Sequence, residues 1–148
     1  PAQVVIAGHK AAVERACDAA KARGAKRALV LPVSAPFHSS LLRPASLRLQ
    51  DYMAGIQFNA PSVPLINNVD VAIVTDPAAI RDALVRQAAS PVRWVETVQK
   101  FAAEGVTHVI ECGPGKVLAG LTKRINSELA GDAIVDQASL DRLLELAK

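Results

Sequence analysis

A chain of 148 residues, 51% hydrophobic and 21% charged, is long enough to build a core and too apolar to be disordered. Seventeen basic against fourteen acidic side chains leave a formal charge of +3, too mild and too scattered for a dedicated nucleic-acid binder. No apolar run approaches the roughly 20 residues of a membrane helix and no signal-peptide pattern is present, so the expectation is a cytoplasmic protein with neither membrane nor nucleic acid as partner.

Aromatic residues make up only 3% of the chain, and Ala, Val and Leu dominate, which favours an α/β interior of aliphatic packing. Gln3-Val4-Val5-Ile6-Ala7 reads as a strand. A natural domain rarely begins one residue before a core strand, so the N-terminus reads as a cut. Lys10 to Arg23 places Val13, Ala16, Cys17 and Ala20 at helical spacing and stops at Gly24. Arg27 to Val33 reads as a second strand, completing a β-α-β unit.

From about Ser40 to Ile56 a helix is predicted, with Leu42, Leu49, Met53 and Ile56 on one side and Pro44 tolerable only in its first turn. Phe58 to Asp70 is an extended segment ending in the polar Asn67-Asn68-Val69-Asp70. Asp76-Pro77 opens a helix to Ala89 with Ile80, Leu84 and Ala88 inward. Ser90-Pro91 supplies an N-cap and a first-turn proline for the next, in which Trp94, Val98 and Phe101 face inward. Val106 to Cys112 is a short strand, Gly113-Pro114-Gly115 a turn, and the helix beyond carries Val117, Leu118, Leu121, Ile125 and Leu129. Ala138 to Lys148 forms a last amphipathic helix. Cys17 and Cys112 lack metal-ligand spacing and read as two buried, reduced thiols. No metal site, dinucleotide fingerprint or other cofactor motif appears.

Among three histidines, His38 stands out because it sits in a turn between a strand and a helix, where rigid elements can aim its ring at a pocket. A neutral imidazole there can take a proton from a hydroxyl nucleophile and return it to a leaving group. A capping or merely polar surface histidine is the competing account. A general base needs its far ring nitrogen anchored by an acceptor. The carbonyl of Gln87 is open to that role, because the amide four residues on belongs to Pro91, which has no N–H. Water or a neighbouring side chain could equally satisfy it.

Gly113-Pro114-Gly115-Lys116 is not a Walker motif, since Ile110 stands where the first glycine is required. It reads as a tight strand-to-helix turn. None of the eight glycines begins a Gly-x-Ser-x-Gly elbow, so a nucleophile must come from another polypeptide or from a portion preceding this chain. Ser39 and Ser40 are helix-capping residues.

The ordered segments Gln3 to His9, Lys26-Arg27, Pro32 to Ser39, Asn67 to Asp70, Arg81 to Gln87, Pro91 to Trp94 and Glu111 to Leu118 together resemble the malonyl-CoA:acyl carrier protein transacylases of bacterial fatty-acid synthesis. The resemblance covers nearly the whole chain. It implies an α/β fold: part of an α/β-hydrolase-like acyltransferase large subdomain (36–148) plus the C-terminal half of an inserted ferredoxin-like small subdomain (1–35). It further implies ping-pong transfer of malonyl from malonyl-CoA to the phosphopantetheine thiol of acyl carrier protein. The family's catalytic histidine falls on His38 and its backbone-carbonyl anchor on Gln87. Phe37 corresponds to a position that, in related polyketide acyltransferases, precedes the histidine in malonyl-selective forms; Lys26 and Arg27 fall in a basic area for carrier-protein docking. The family's nucleophilic serine and the arginine that pairs the malonyl carboxylate belong to an N-terminal half outside this sequence. The alternative is a non-enzymatic fragment that binds acyl carrier protein.

Overall fold

The computed structural model describes residues 3–146, and the chain divides near Arg93 into two compact units. It is a mixture of helices with one small parallel sheet, the α/β character the composition favours. Ala147 and Lys148, the last two positions of the expected C-terminal helix, lie outside the described residues, as do Pro1 and Ala2.

In the first unit, helix α1 spans Lys10–Ala22. It ends because Gly24 adopts φ +86°, a conformation open to glycine, and lets Ala25 N donate to Ala20 O at 3.0 Å while Gly24 N donates to Lys21 O at 3.0 Å. Val13, Ala16, Cys17 and Ala20 are its half-buried positions, the face expected from their spacing. The flanking segments differ from expectation. Neither Gln3–Ala7 nor Arg27–Val33 joins a ladder among the described residues, so the β-α-β unit is represented by its helix alone. A strand exists only by exchanging hydrogen bonds with a neighbour, and here Val4, Val5, Ile6, Leu29, Val30, Leu31 and Val33 are exposed.

One 3₁₀ turn at Ser40–Leu42 leads into α2, Arg43–Ala54, with Pro44 in the first turn, where its missing N–H costs nothing. Ile56 falls beyond the helix and is exposed. Residues 65–74 fold back as a hairpin with a single antiparallel bridge, Ile66 to Ile73. Helix α3, Pro77–Gln87, begins at Asp76, whose Oδ2 accepts from Ala79 N at 2.7 Å. It buries Ile80 and Ala83, whereas Leu84, expected inward, is exposed. Helices α2 and α3 are joined through buried Ser46, whose Oγ donates to Val85 O at 2.6 Å.

The second unit begins with α4, Trp94–Ala103. The helix starts at Trp94, so Ser90 is not its N-cap. Thr97 and Val98 are the buried positions, and Trp94 meets Phe101 edge to face at 6.4 Å. Strand β1, His108–Cys112, runs parallel to β2, Ala130–Ile134, with His108 opposite Ala130 and Cys112 opposite Ile134. Helix α5, Val117–Ile125, supplies the crossover that a parallel pair requires. Strand β2 was not expected, because Ala-Gly-Asp-Ala-Ile holds one β-branched residue in five. Its place is set by packing: a Cβ on Gly131 would lie 2.5 Å from Ala119 O of α5. Helix α6, Gln137–Leu146, is capped by Asp136 and Ser139: Ser139 N donates to Asp136 Oδ1 at 2.8 Å and Asp136 N to Ser139 Oγ at 3.0 Å. That hydroxyl and amide hold the Asp136 carboxyl below its ordinary range. The core comprises Val98, Ala119, Thr122, Leu129, Ala133 and Leu143.

Both cysteines are free; Cys17 is half-buried and Cys112 exposed, so neither is the fully buried thiol expected. No described helix is long and apolar enough to cross a membrane.

Candidate active site

The segment Ala35–Ser39 forms a turn closed by two short hydrogen bonds, from Phe37 N to Ala35 O at 2.9 Å and from Ser39 Oγ to Pro36 O at 2.7 Å. Ser39 thus ties the turn to itself, while the backbone enters the 3₁₀ turn from Ser40. His38 sits at the apex with φ +59°, a left-handed conformation that costs a non-glycine residue on the order of 1 kcal/mol. That backbone directs its side chain toward the end of α3, 49 residues on, where Nδ1 lies 3.2 Å from the Gln87 carbonyl oxygen.

A carbonyl oxygen can only accept, so the contact requires the proton on Nδ1 and leaves Nε2 with its lone pair. The Gln87 carbonyl is available for the reason the sequence suggests, with one addition. Pro91 provides no amide, and the remaining backbone donor, Ser90 N, reaches it only at 3.4 Å. The ring of His38 is exposed.

The end of α3 is fastened from its other side. The Gln87 side-chain oxygen Oε1 accepts from Asn68 N at 3.0 Å. Asn67 Oδ1 accepts from Val69 N at 3.1 Å and Asp70 N at 2.7 Å, shaping the turn that presents Asn68. Asp70 binds Arg86 in a fork, 2.8 Å to Nη1 and 2.7 Å to Nη2, and Arg86 Nε also donates to Asp82 at 2.6 Å. The guanidinium holds the Asp70 carboxyl below its ordinary range, and the two carboxylates raise Arg86 further above its own. Both segments stand out in the sequence, but nothing in it joins one to the other. The pairing spans sixteen residues between a turn and a helix, and only i,i+4 relations such as Asp82 to Arg86 can be read off a helix.

Phe37 is exposed beside His38, with half its surface accessible. Lys26 and Arg27 are exposed just past the end of α1, and no contact joins them to His38. A groove of about 520 Å³ lies between α2 and α3, lined in part by Ser40, Arg43, Arg81 and Ser90; a smaller cavity of about 190 Å³ lies under the hairpin beside Asn68, Ile80 and Gln87. His38 lines neither.

The Gly113–Lys116 turn is a strand-to-helix connection whose helix N-terminus is already occupied. Glu111 Oε2 accepts from Ala119 N at 3.0 Å, so a carboxylate of the same chain takes the place an anionic ligand would need. Among the described residues no cluster of His, Cys, Asp and Glu is placed to hold a metal.

No family model matches the chain. Individual proteins do. The malonyl CoA-acyl carrier protein transacylase of Salmonella typhimurium is 58% identical over 144 residues, which is 97% of this chain and 47% of that protein. The crystal structure of the acyl-carrier-protein S-malonyltransferase from Burkholderia pseudomallei superposes with a TM-score of 0.89 at 67% identity, covering 93% of this chain and 45% of that one. A malonyl-transacylase solved in complex with its type II PKS acyl-carrier protein gives 0.91 at 53% identity, over 94% of this chain and 45% of that one. In sequence and in fold the chain is homologous, over nearly all of its own length, to the malonyl CoA-acyl carrier protein transacylases, and it spans about half the length of those it matches.

Proposed function

We propose that this chain supplies the general-base histidine for transfer of malonyl from malonyl-CoA to the phosphopantetheine thiol of acyl carrier protein, in the cytoplasm, with the nucleophilic serine contributed by the portion of the relatives that this chain does not span. The observation that carries the proposal is the contact of His38 Nδ1 with the Gln87 carbonyl. It selects one tautomer and leaves Nε2 free to accept a proton.

In the first half-reaction Nε2 removes the serine proton as the serine oxygen attacks the malonyl thioester carbonyl. The C–S bond breaks, the proton passes to the departing sulfur, and free CoA leaves a malonyl-serine ester. In the second, Nε2 takes the proton of the phosphopantetheine thiol, whose sulfur attacks the ester, and the proton returns to the serine oxygen. Gln87 keeps the ring oriented in both directions. Phe37, exposed beside the histidine, presents a bulky ring suited to excluding an α-methyl branch on the acyl group. Lys26 and Arg27 offer positive charge to the acidic carrier protein.

On this reading residues 1–35 are the second half of a ferredoxin-like small subdomain and 36–148 belong to the hydrolase-like large one. The exposed apolar residues of segments 3–7 and 27–33 support it, since each reads as a strand awaiting a neighbour from the remaining half of the relatives' length. A second reading, a carrier-protein-binding fragment without activity, draws on the exposure of Lys26 and Arg27.

The test is malonyl transfer to acyl carrier protein in the assembly containing this chain, followed by intact mass. A malonyl adduct should form on the serine-bearing polypeptide, and His38→Ala should slow transfer by roughly a hundredfold or more. Near-full activity in that variant overturns the assignment, and carrier binding without any adduct selects the second reading.

A further inference from the structure

The His38 to Gln87 contact joins an exposed ring to the last residue of a helix, and both ends of such a contact are prone to movement: helix termini fray, and the turn bearing His38 is held by its own two short bonds. Yet the Gln87 residue is gripped twice. Its carbonyl faces His38, while its side chain accepts the Asn68 amide at 3.0 Å, and its predecessor Arg86 forks onto Asp70, two residues beyond Asn68.

We infer that the Gln87 side chain and the Asp70–Arg86 pair are positioning groups, which clamp the end of α3 to the 67–70 turn and thereby hold the Gln87 carbonyl where it selects the Nδ1–H form of His38. This deepens the proposed function and rests on it for its catalytic meaning, but its physical content, the tautomer of one ring, is independent of any substrate.

Two features of the clamp argue for a positional role. Consecutive residues 86 and 87 point their side chains at the same turn, so the peptide between them and the carbonyl of Gln87 lose freedom to rotate. The turn itself is preformed by Asn67 Oδ1, which accepts the amides of Val69 and Asp70 and leaves Asn68 N directed outward to Gln87. Arg93 N also donates to Asn68 O at 3.1 Å, fixing the next peptide, on the other side of the Asn68 Cα. As a stability device the exposed ion pair is worth little, since solvent screens it. As a geometric fork it restricts orientation, which is what a tautomer-selecting carbonyl needs.

The experiment labels histidine with ¹⁵N in the full chain and reads the His38 tautomer from long-range ¹H–¹⁵N couplings in alkaline buffer. The parent should hold His38 mainly as Nδ1–H. Gln87→Met keeps the length and the backbone carbonyl but removes the acceptor for Asn68. The ratio of Nδ1–H to Nε2–H should then fall roughly fivefold, the equilibrium equivalent of one hydrogen bond. Gln87→Glu, which restores an acceptor oxygen, should recover the ratio. Asp70→Asn breaks the fork without touching Gln87 and should lower the ratio by a smaller factor, which serves also if Gln87→Met fails to fold. An unchanged ratio in the variants that fold overturns the inference, as does an equal fall in Gln87→Met and Gln87→Glu. Loss of malonyl transfer with an unchanged ratio would leave the proposed function standing and remove the clamp.

Discussion

The two units on either side of Arg93 handle apolar side chains in opposite ways. Residues 94–146 bury Val98 and Thr122 completely and Leu129 and Leu143 almost so, around a parallel strand pair and its crossover helix. Residues 3–93 bury Ile80, Ala83 and Ser46, yet leave Val4, Val5, Leu29, Val30, Leu31 and Val33 in solvent. The first-named unit closes on itself because its contacts are between sequence neighbours: β1, α5 and β2 follow one another within 27 residues. The other is held by polar links across longer spans, from Ser46 to Val85, Arg86 to Asp70, Gln87 to Asn68 and His38 to Gln87. The candidate site therefore stands on directional hydrogen bonds, which confer geometry, and not on a core, which confers stability.

This contrast can be broken most forcefully in the closed unit. Gly131→Ala places a Cβ against the Ala119 carbonyl, a backbone atom that cannot swing aside, and should destabilise residues 94–146 by about 2 kcal/mol. Denaturant titration followed by Trp94 fluorescence checks it. The His38 tautomer should be unchanged, and a simultaneous loss would show that the two units are energetically one.

Acid sharpens the contrast from the other side. The Asp70 carboxyl is held low by Arg86, so the folded state binds that proton less readily than the unfolded chain. Its contribution is present above the ordinary aspartate value and is lost as pH falls through the depressed one. Amide protection in residues 67–72 should therefore decline at low pH before that of β1 and β2. The Asp136 cap, depressed in the same sense by Ser139, should loosen the start of α6 over a similar range. Retention of the 67–72 protection down to complete Asp70 protonation would remove the ion pair from the account.

The smallest effect on stability belongs to the exposed cations past α1. Lys26→Glu with Arg27→Glu should change unfolding free energy by no more than about 0.5 kcal/mol. The same pair should weaken association with acyl carrier protein and flatten its salt dependence, as titration at two ionic strengths would show. A large loss of stability, or no change in carrier binding, would take these residues out of the proposed docking surface.

Much of this was legible from the residues alone. The faces of α1 follow from the spacing of Val13, Ala16, Cys17 and Ala20, and its end from Gly24, because helix periodicity and a left-handed glycine are local properties. The open carbonyl of Gln87 followed from Pro91, again a matter of four residues. What lay beyond reach depended on distance along the chain. Strand β2 is defined by its ladder with β1 and seated by the close approach of Gly131 to α5, and the apolar runs at 3–7 and 27–33 form no ladder among the described residues because propensity cannot supply a neighbouring strand.

By itself the sequence determined that the helices exist, the stop of α1 at Gly24, the strand-turn-helix order around Gly113 and the kinship with the transacylases, since each rests on patterns of a few consecutive residues, whereas α2 and α3 end two residues short of the expected Ile56 and Ala89, and Leu129 lies beyond α5. Only the tertiary structure decided that His38 meets Gln87 across 49 residues and that Asn68 and Asp70 hold the far side of the same helix end. Hydrogen bonds depend on angles and on tenths of an ångström, and those are set by how the chain returns to itself.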